Sequence, residues 1–330
     1  MVQCEVPGKN HSAEALAVHR TSESGMAGNC NNEAERSLQF PHTRRANENA
    51  MHGFEDVFSR NLTLHHTYEN ERNPVGKNVL IRIEYDGTNF SGWQKQPNAR
   101  TVQGEIEHVL KYIAMEDVPI HGTSRTDAGV HALGQCASFE WNSNMPVEKL
   151  PEVMNRRFGA GGTGRSGAPG DIRILSAEVM DDDFHARYSC RGKTYRYIID
   201  KTGDIFRRKQ AFQYPDAGDL DIDAMRRAAG HIVGTHDFKC FETAGGTPRE
   251  STVRTVSALD IAENDDSIII EITGDGFLYN MVRIIVGTLV EVGIGRKDAE
   301  EIPDIIQSKD RGRAGFTAPP QGLYLREIYF

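Results

Sequence analysis

VLIRIEY at residues 79–85 and TVQGEIEHVLKYI at residues 101–113 decide how this chain is read. In the first stretch apolar and polar residues alternate, as in a half-buried strand. In the second, Val102, Ile106, Val109, Leu110 and Ile113 recur every three or four residues, as on one face of a helix. Working outward, short strands are expected near Pro119–Gly122 and at Ala132–Trp141, then a helix from about Val147 to Arg156 and a strand over Asp171–Met180. A second series starts with strand Lys193–Asp200 and helix Asp221–Val233. It continues with strands Ser251–Ile261 and Ser267–Ile272, a hairpin across the acidic turn Glu263–Asp266. Helices over Phe277–Val292 and Ala299–Ser308 and a strand over Gly322–Phe330 complete it.

Each series follows the order β-α-β-β-α-β, the split βαβ plan of ferredoxin-like domains. The fold class expected is therefore α+β. Two such domains, residues 77–185 and 186–330, would place antiparallel sheets side by side around a central cleft. A length of 330 residues suits two domains, and 38% of residues from the set AVILMFWYC is enough for their cores. Residues 1–76 are rich in Asn, Glu, Ser and His without apolar period, and read as a mostly disordered extension with at most one short helix near Glu55, or as the product of a mis-assigned start codon. FGAGGTGRSGAPG, residues 158–170, reads as a flexible loop; no GK[ST] closes it, which argues against a phosphate-binding loop.

Several classes are excluded early. The most apolar stretch, Phe277–Val292, is interrupted by Asn280, Arg283 and Glu291, so no membrane span is expected. The five cysteines, at 4, 30, 136, 190 and 240, form no CxxC and no group with histidines. Free thiols in a reducing compartment are expected, not disulfides or structural zinc. Met1–Asn10 holds no apolar segment, so a secretory signal is not expected and the cytoplasm is the default location. A net charge of −9, from 38 Lys+Arg against 47 Asp+Glu, is the wrong sign for indiscriminate nucleic-acid coating. A basic groove within an acidic whole remains compatible with it.

The segment GTSRTDAGVHA, residues 122–132, joins two expected strands and presents one carboxylate, Asp127, two residues after Arg125. Its small residues let a ligand approach the backbone. An adjacent cation would lower the carboxyl pKa and keep it ionised for work as a nucleophile or base. A polar turn with Asp127 capping backbone amides fits the same spacing.

Longer motifs add to this. GTSRTDAGVHALGQ (122–135) resembles the signature of the TruA family of tRNA pseudouridine synthases. DGTNFSGWQ (86–94) with TVQG (101–104), FHAR (184–187) with YRY (195–197), and GTHDF (234–238) resemble further family segments in order. So do FLYNMVR (277–283) with VG (286–287), and TAPPQGLYL (317–325). The resemblance covers residues 79–330. It implies a pseudouridine synthase fold and an intramolecular isomerase, converting uridine to pseudouridine at positions 38, 39 and 40 of the tRNA anticodon stem-loop. It further implies a homodimer with each tRNA touching both subunits; because the isomerisation adds and removes nothing, no cofactor or metal is expected. Asp127 falls on the catalytic aspartate, Tyr195 on the tyrosine that contacts the target base, and Arg125 and Arg283 on arginines of the active cleft.

The reaction asks for such residues. Uracil leaves the ribose, turns and rejoins through C5 with no redox change, and one ionised carboxylate serves as nucleophile or base. Tyr195 would stack on the extruded base, with Tyr197 on the same face of its strand, and Leu323 would add an apolar wall, although strand alternation fits a core aromatic and a core leucine at these positions too. A buried Arg283 needs an anionic partner, and Asp127 is the one expected. Candidates for the RNA backbone are Lys95, Arg187, Arg191, Lys193, Arg207 and Arg208. Trp93 and further pairs at 156–157, 226–227 and 296–297 and the set Lys309, Arg311 and Arg313 join them. Ser124 stands where the family often has glycine. The 158–170 loop and the N-terminal extension also depart from the compact bacterial form. A tRNA-binding or chaperone protein that has lost catalysis is the alternative, and a glycosidase would need a second carboxylate across the cleft.

Overall fold

The computed structural model describes residues 76–159, 170–214, 216–245 and 250–330. Expectations placed on residues 1–75 and 160–169 lie outside the described residues. The first series is β1 (Lys77–Tyr85), α1 (Val102–Ala114), β2 (His121–Gly122), β3 (His131–Trp141), α2 (Leu150–Phe158) and β4 (Ile172–Val179). The Thr101 hydroxyl caps α1 by accepting from Gly104 N, and Met115 ends it in the left-handed conformation. Val102, Ile106, Val109 and Leu110 are buried, as their spacing predicts. β1 lies antiparallel between β3 and β4, and β2 pairs with β3 through His121↔Ser138. The resulting order, β4-β1-β3-β2, is that of a ferredoxin-like sheet.

The second series is β5 (Gly192–Asp200), β6 (Phe212–Gln213), α3 (Ile222–Ile232), β7 (Gly234–Asp237), β8 (Val253–Glu263), β9 (Ser267–Gly274), α4 (Met281–Gly293), α5 (Ile302–Ser308) and β10 (Leu323–Tyr329). Its order, β10-β5-β9-β8, repeats the first. β6 and β7, two and four residues long, are too short to show alternation in sequence. The series meet where β10, antiparallel to β5, runs parallel to β3 at Tyr324↔His131 and Leu325↔Ala132. The two expected sheets are thereby joined edge to edge in one mixed sheet. Among the described residues, no helix is long and apolar enough to cross a membrane.

One difference from the sequence reading shapes the cleft. The helix expected from Phe277 begins at Met281, because Asn280 takes φ 61°, outside the helical region. Residues 277–280 are therefore loop. α4 itself is buried on nearly every side, with Ile284, Ile285, Val286, Leu289 and Val290 at most 1% exposed. A Cβ at Gly287 would stand 1.9 Å from the Phe316 carbonyl oxygen. The missing side chain lets residues 315–318 cross the helix, and Ala318 N donates to the Arg283 carbonyl at 3.0 Å.

Candidate active site

The loop between β2 and β3 is held at its backbone. Gln135, fully buried in β3, accepts from Ser124 N at 3.3 Å and donates to Ser124 O at 2.6 Å. The Thr126 carbonyl accepts from Trp93 N at 3.0 Å, and its hydroxyl lies 2.7 Å from the Tyr85 hydroxyl. Val130 N closes the turn on the Asp127 carbonyl at 3.2 Å. The Asp127 side chain, 41% exposed, is left facing a cleft. Gln135→Leu keeps the volume but strands the buried Ser124 amide and carbonyl. A loss of about 2–4 kcal/mol is expected, which a thermal melt would show as a Tm lowered by roughly 5–10 °C.

The cleft measures about 670 Å³ and is lined by this loop, Lys193 and Tyr195 of β5, residues 276–283, Arg187 and Leu323. Asp127 is the only carboxylate among the described residues lining it. Burial pushes its pKa above the ordinary carboxylate range, and the Arg283 charge offsets only part of that. Arg283 Nη1 stands 4.0 Å from Asp127 Oδ2, a charge contact longer than a hydrogen bond. The guanidinium is fixed from behind: Nε donates to Ala318 O at 2.6 Å and Nη1 to Asn280 Oδ1 at 2.8 Å. Asn280 also donates to the Thr243 hydroxyl at 3.2 Å.

Two expectations change here. Arg125 is exposed and forms no ion pair among the described residues, so the cation beside Asp127 is not its sequence neighbour but Arg283, as expected of that buried arginine. The carboxyl is also held above its usual range rather than below it, because dehydration outweighs one cation at this distance. The Tyr195 hydroxyl lies 2.9 Å from Ser124 Oγ and its ring packs edge-on against Phe277 at 5.3 Å. Burial moves its pKa to about 12, so it stays neutral. Tyr197 does not join it in the cleft. It is fully buried and donates to Pro319 O at 2.7 Å, while Gly322 passes so close that a Cβ there would lie 2.6 Å from the ring.

A family model described as tRNA pseudouridine synthase matches residues 81–189 and 228–330, which include Asp127, Arg283 and Leu323. The chain belongs to the tRNA pseudouridine synthase family. It is similar to the tRNA pseudouridine synthase A of Acetivibrio thermocellus, 48% identical over 254 residues, covering 77% of this chain and 100% of that protein. The protein of the same name from Thermoanaerobacter pseudethanolicus is 47% identical over 254 residues, again 77% of this chain and 100% of the relative. tRNA pseudouridine synthase A 2 of Clostridium tetani is 44% identical over 258 residues, 78% of this chain and 100% of the relative.

The basic residues of this synthase divide sharply. Arg207 is bound to the buried Asp200 at 2.9 Å and to Ser267 at 2.6 Å, and Arg208 donates to the Ile205 carbonyl. Lys95 pairs with Glu107 at 2.8 Å, Arg156 with Glu152 at 2.6 Å, Arg226 with Asp223 at 2.9 Å, Lys297 with Glu291 at 3.4 Å and Lys309 with Asp237 at 2.7 Å. Trp93 is 2% exposed and packs against Gly122, in the core rather than at an RNA-facing surface. Arg125, Arg187 and Lys193 line the cleft, and Arg191 lies exposed beside Lys193 in sequence. Sequence reasoning missed Gln135 and Asn280 as positioning residues. A glutamine inside the apolar run of β3 was the available signal for the first, and an asparagine interrupting the apolar run 277–292 for the second.

Proposed function

We propose that the chain converts uridine to pseudouridine at positions 38, 39 and 40 of the tRNA anticodon stem-loop, with Asp127 as the reacting carboxylate. The observation that carries this reading is the one carboxylate among the described residues lining the cleft, beside a fixed guanidinium, in a chain of this family. In the reaction the N1–C1′ bond breaks, the C5–C1′ bond forms, C5 loses a proton and N1 gains one. The carboxylate acts as nucleophile or base on the nucleotide, and Arg283 favours its ionised form. The uracil must first leave its stack, at a cost of about a few kcal/mol. Contact with Tyr195 and Leu323 offsets part of that cost, since base–aromatic stacking is worth roughly 1–3 kcal/mol. Arg125, Arg187 and Lys193 meet the phosphates around the cleft mouth. A two-carboxylate glycosidase is disfavoured, since Asp127 is the one acid among the described lining residues. A silent tRNA chaperone would bind tRNA and form no product.

The anticodon-arm positions and a homodimer rest on the sequence resemblance. A cytoplasmic site of action fits the free thiols of Cys136, Cys190 and Cys240. Pseudouridine mapping in tRNA from cells with and without the protein tests the assignment. Loss of the mark at 38–40 in its absence is expected; loss at another position alone would move the substrate elsewhere.

A further inference from the structure

Three rings lie tilted against one another on segments that also line the cleft, and play no part in the chemistry above. His121 and His185 have ring centroids 4.8 Å apart with planes 32° from parallel, and His185 and Tyr188 lie 4.4 Å apart at 33°. Tyr188 is 80% exposed. One face of its ring rests on His185, and aromatic surface of that extent gains free energy when it is covered. Both chain segments that carry the rings also line the cleft, through Thr123 two residues beyond His121 and Arg187 two residues beyond His185.

The rings are held by the scaffold. Ser138 pairs with His121 across β2 and β3, and its hydroxyl accepts from Ala186 N at 3.0 Å. Asn78 of β1 donates to the carbonyls of Asp181 at 2.9 Å and Phe184 at 2.6 Å. His185 Nδ1 accepts from Arg187 N at 3.1 Å, which fixes its tautomer. Burial, followed by the neighbouring His121 and Arg187, lowers the His185 pKa and favours the neutral ring. A segment whose backbone is fixed in this way pays less ordering cost when its rings are covered.

We propose that the rings of His121, His185 and Tyr188 form a platform on which an unpaired base of the substrate RNA stacks, with Tyr188 as the outer face. The proposal rests on the reading of the chain as an RNA-modifying enzyme. The exposed Arg187 and Arg191 flank Tyr188 in sequence and supply the positive charge a polynucleotide seeks. A base on this platform lies outside the catalytic pocket and serves to seat the strand.

The test compares the full-length chain with its Tyr188→Ala, Tyr188→Phe and Tyr188→Trp variants. Each is assayed for affinity to an unmodified tRNA transcript and for pseudouridine formation at saturating RNA. Tyr188→Ala should raise Kd and KM roughly tenfold, within the range measured for base–aromatic stacking, and leave kcat within about twofold. Phe and Trp should restore affinity. In transcripts carrying one abasic loop nucleotide each, a single position should weaken the parent chain and not the Ala variant. An unchanged Kd for Tyr188→Ala overturns the platform, as when the rings serve a protein contact. Failure of Phe to restore affinity overturns it too, since a hydroxyl contact would then carry the effect. A parent chain that binds tRNA but forms no pseudouridine contradicts the functional reading and leaves the affinity comparison decisive. A parent chain that does not bind tRNA overturns both.

Discussion

Replacing Asp127 by Asn should lower pseudouridine formation on the order of 10³-fold or more, keep tRNA affinity within a few fold, and leave thermal stability no lower than that of the parent. The first part follows from the cleft's single carboxylate: no second acid among the described lining residues can take over. The last part follows from the electrostatics. The carboxyl pKa is raised in the folded chain, even with Arg283 present. The native state thus holds that proton more tightly than the unfolded state does. Its stability contribution is greatest below the ordinary carboxylate range and is lost as pH rises through the raised pKa. At neutral pH the ionised group costs stability, and a neutral amide removes that cost. Turnover assays and thermal melts at pH 7 check both halves. A variant that loses activity and also melts well below the parent would point to a structural aspartate.

Arg283→Gln should move the acid limb of the kcat/KM profile upward. Arg283 is the group that lowers the Asp127 pKa, so removing its charge leaves burial unopposed. A displacement of one pH unit lowers the rate about tenfold on the acid side, and the deficit shrinks as pH rises and the carboxylate ionises. Arg283→Lys keeps a charge and should keep much of the limb's position, although it cannot bond both Ala318 and Asn280 as the guanidinium does. A pH-rate profile for the parent and both variants separates this from simple misfolding, which lowers the rate equally at every pH. An acid limb at the same pH in Arg283→Gln would show that the 4.0 Å contact carries no functional coupling.

Elements with a strong period were legible in the sequence. The alternation in β1 and the buried face of α1 required no partner to be recognised. Asp127 was legible as a carboxylate among small residues in a loop that β2 and β3 had to form. Its electrostatic partner was legible from the other side, as the acid that a buried Arg283 needs, and the two stand 4.0 Å apart where residues 315–318 cross α4 at Gly287. The extra length assigned to α4 had a similar origin: Phe277, Leu278 and Tyr279 look helical, and only the left-handed Asn280 turns them into the cleft wall. The basic clusters show the same dependence on the fold. Arg207 and Lys309 find their acids, Asp200 and Asp237, in other parts of the fold, so the sequence did not show which positive charges are paired.

The central claim is that this chain exchanges an N1–C1′ bond for a C5–C1′ bond in tRNA through Asp127. Transcripts labelled with tritium at uridine C5 test it most directly, because the bond that forms displaces that hydrogen into water. With the full-length chain, the account predicts one tritium released for each uridine at positions 38–40, and none within the same time from Asp127→Asn bound to the same transcript. Release that survives the amide, or a parent chain that binds the transcript and releases nothing, would contradict it.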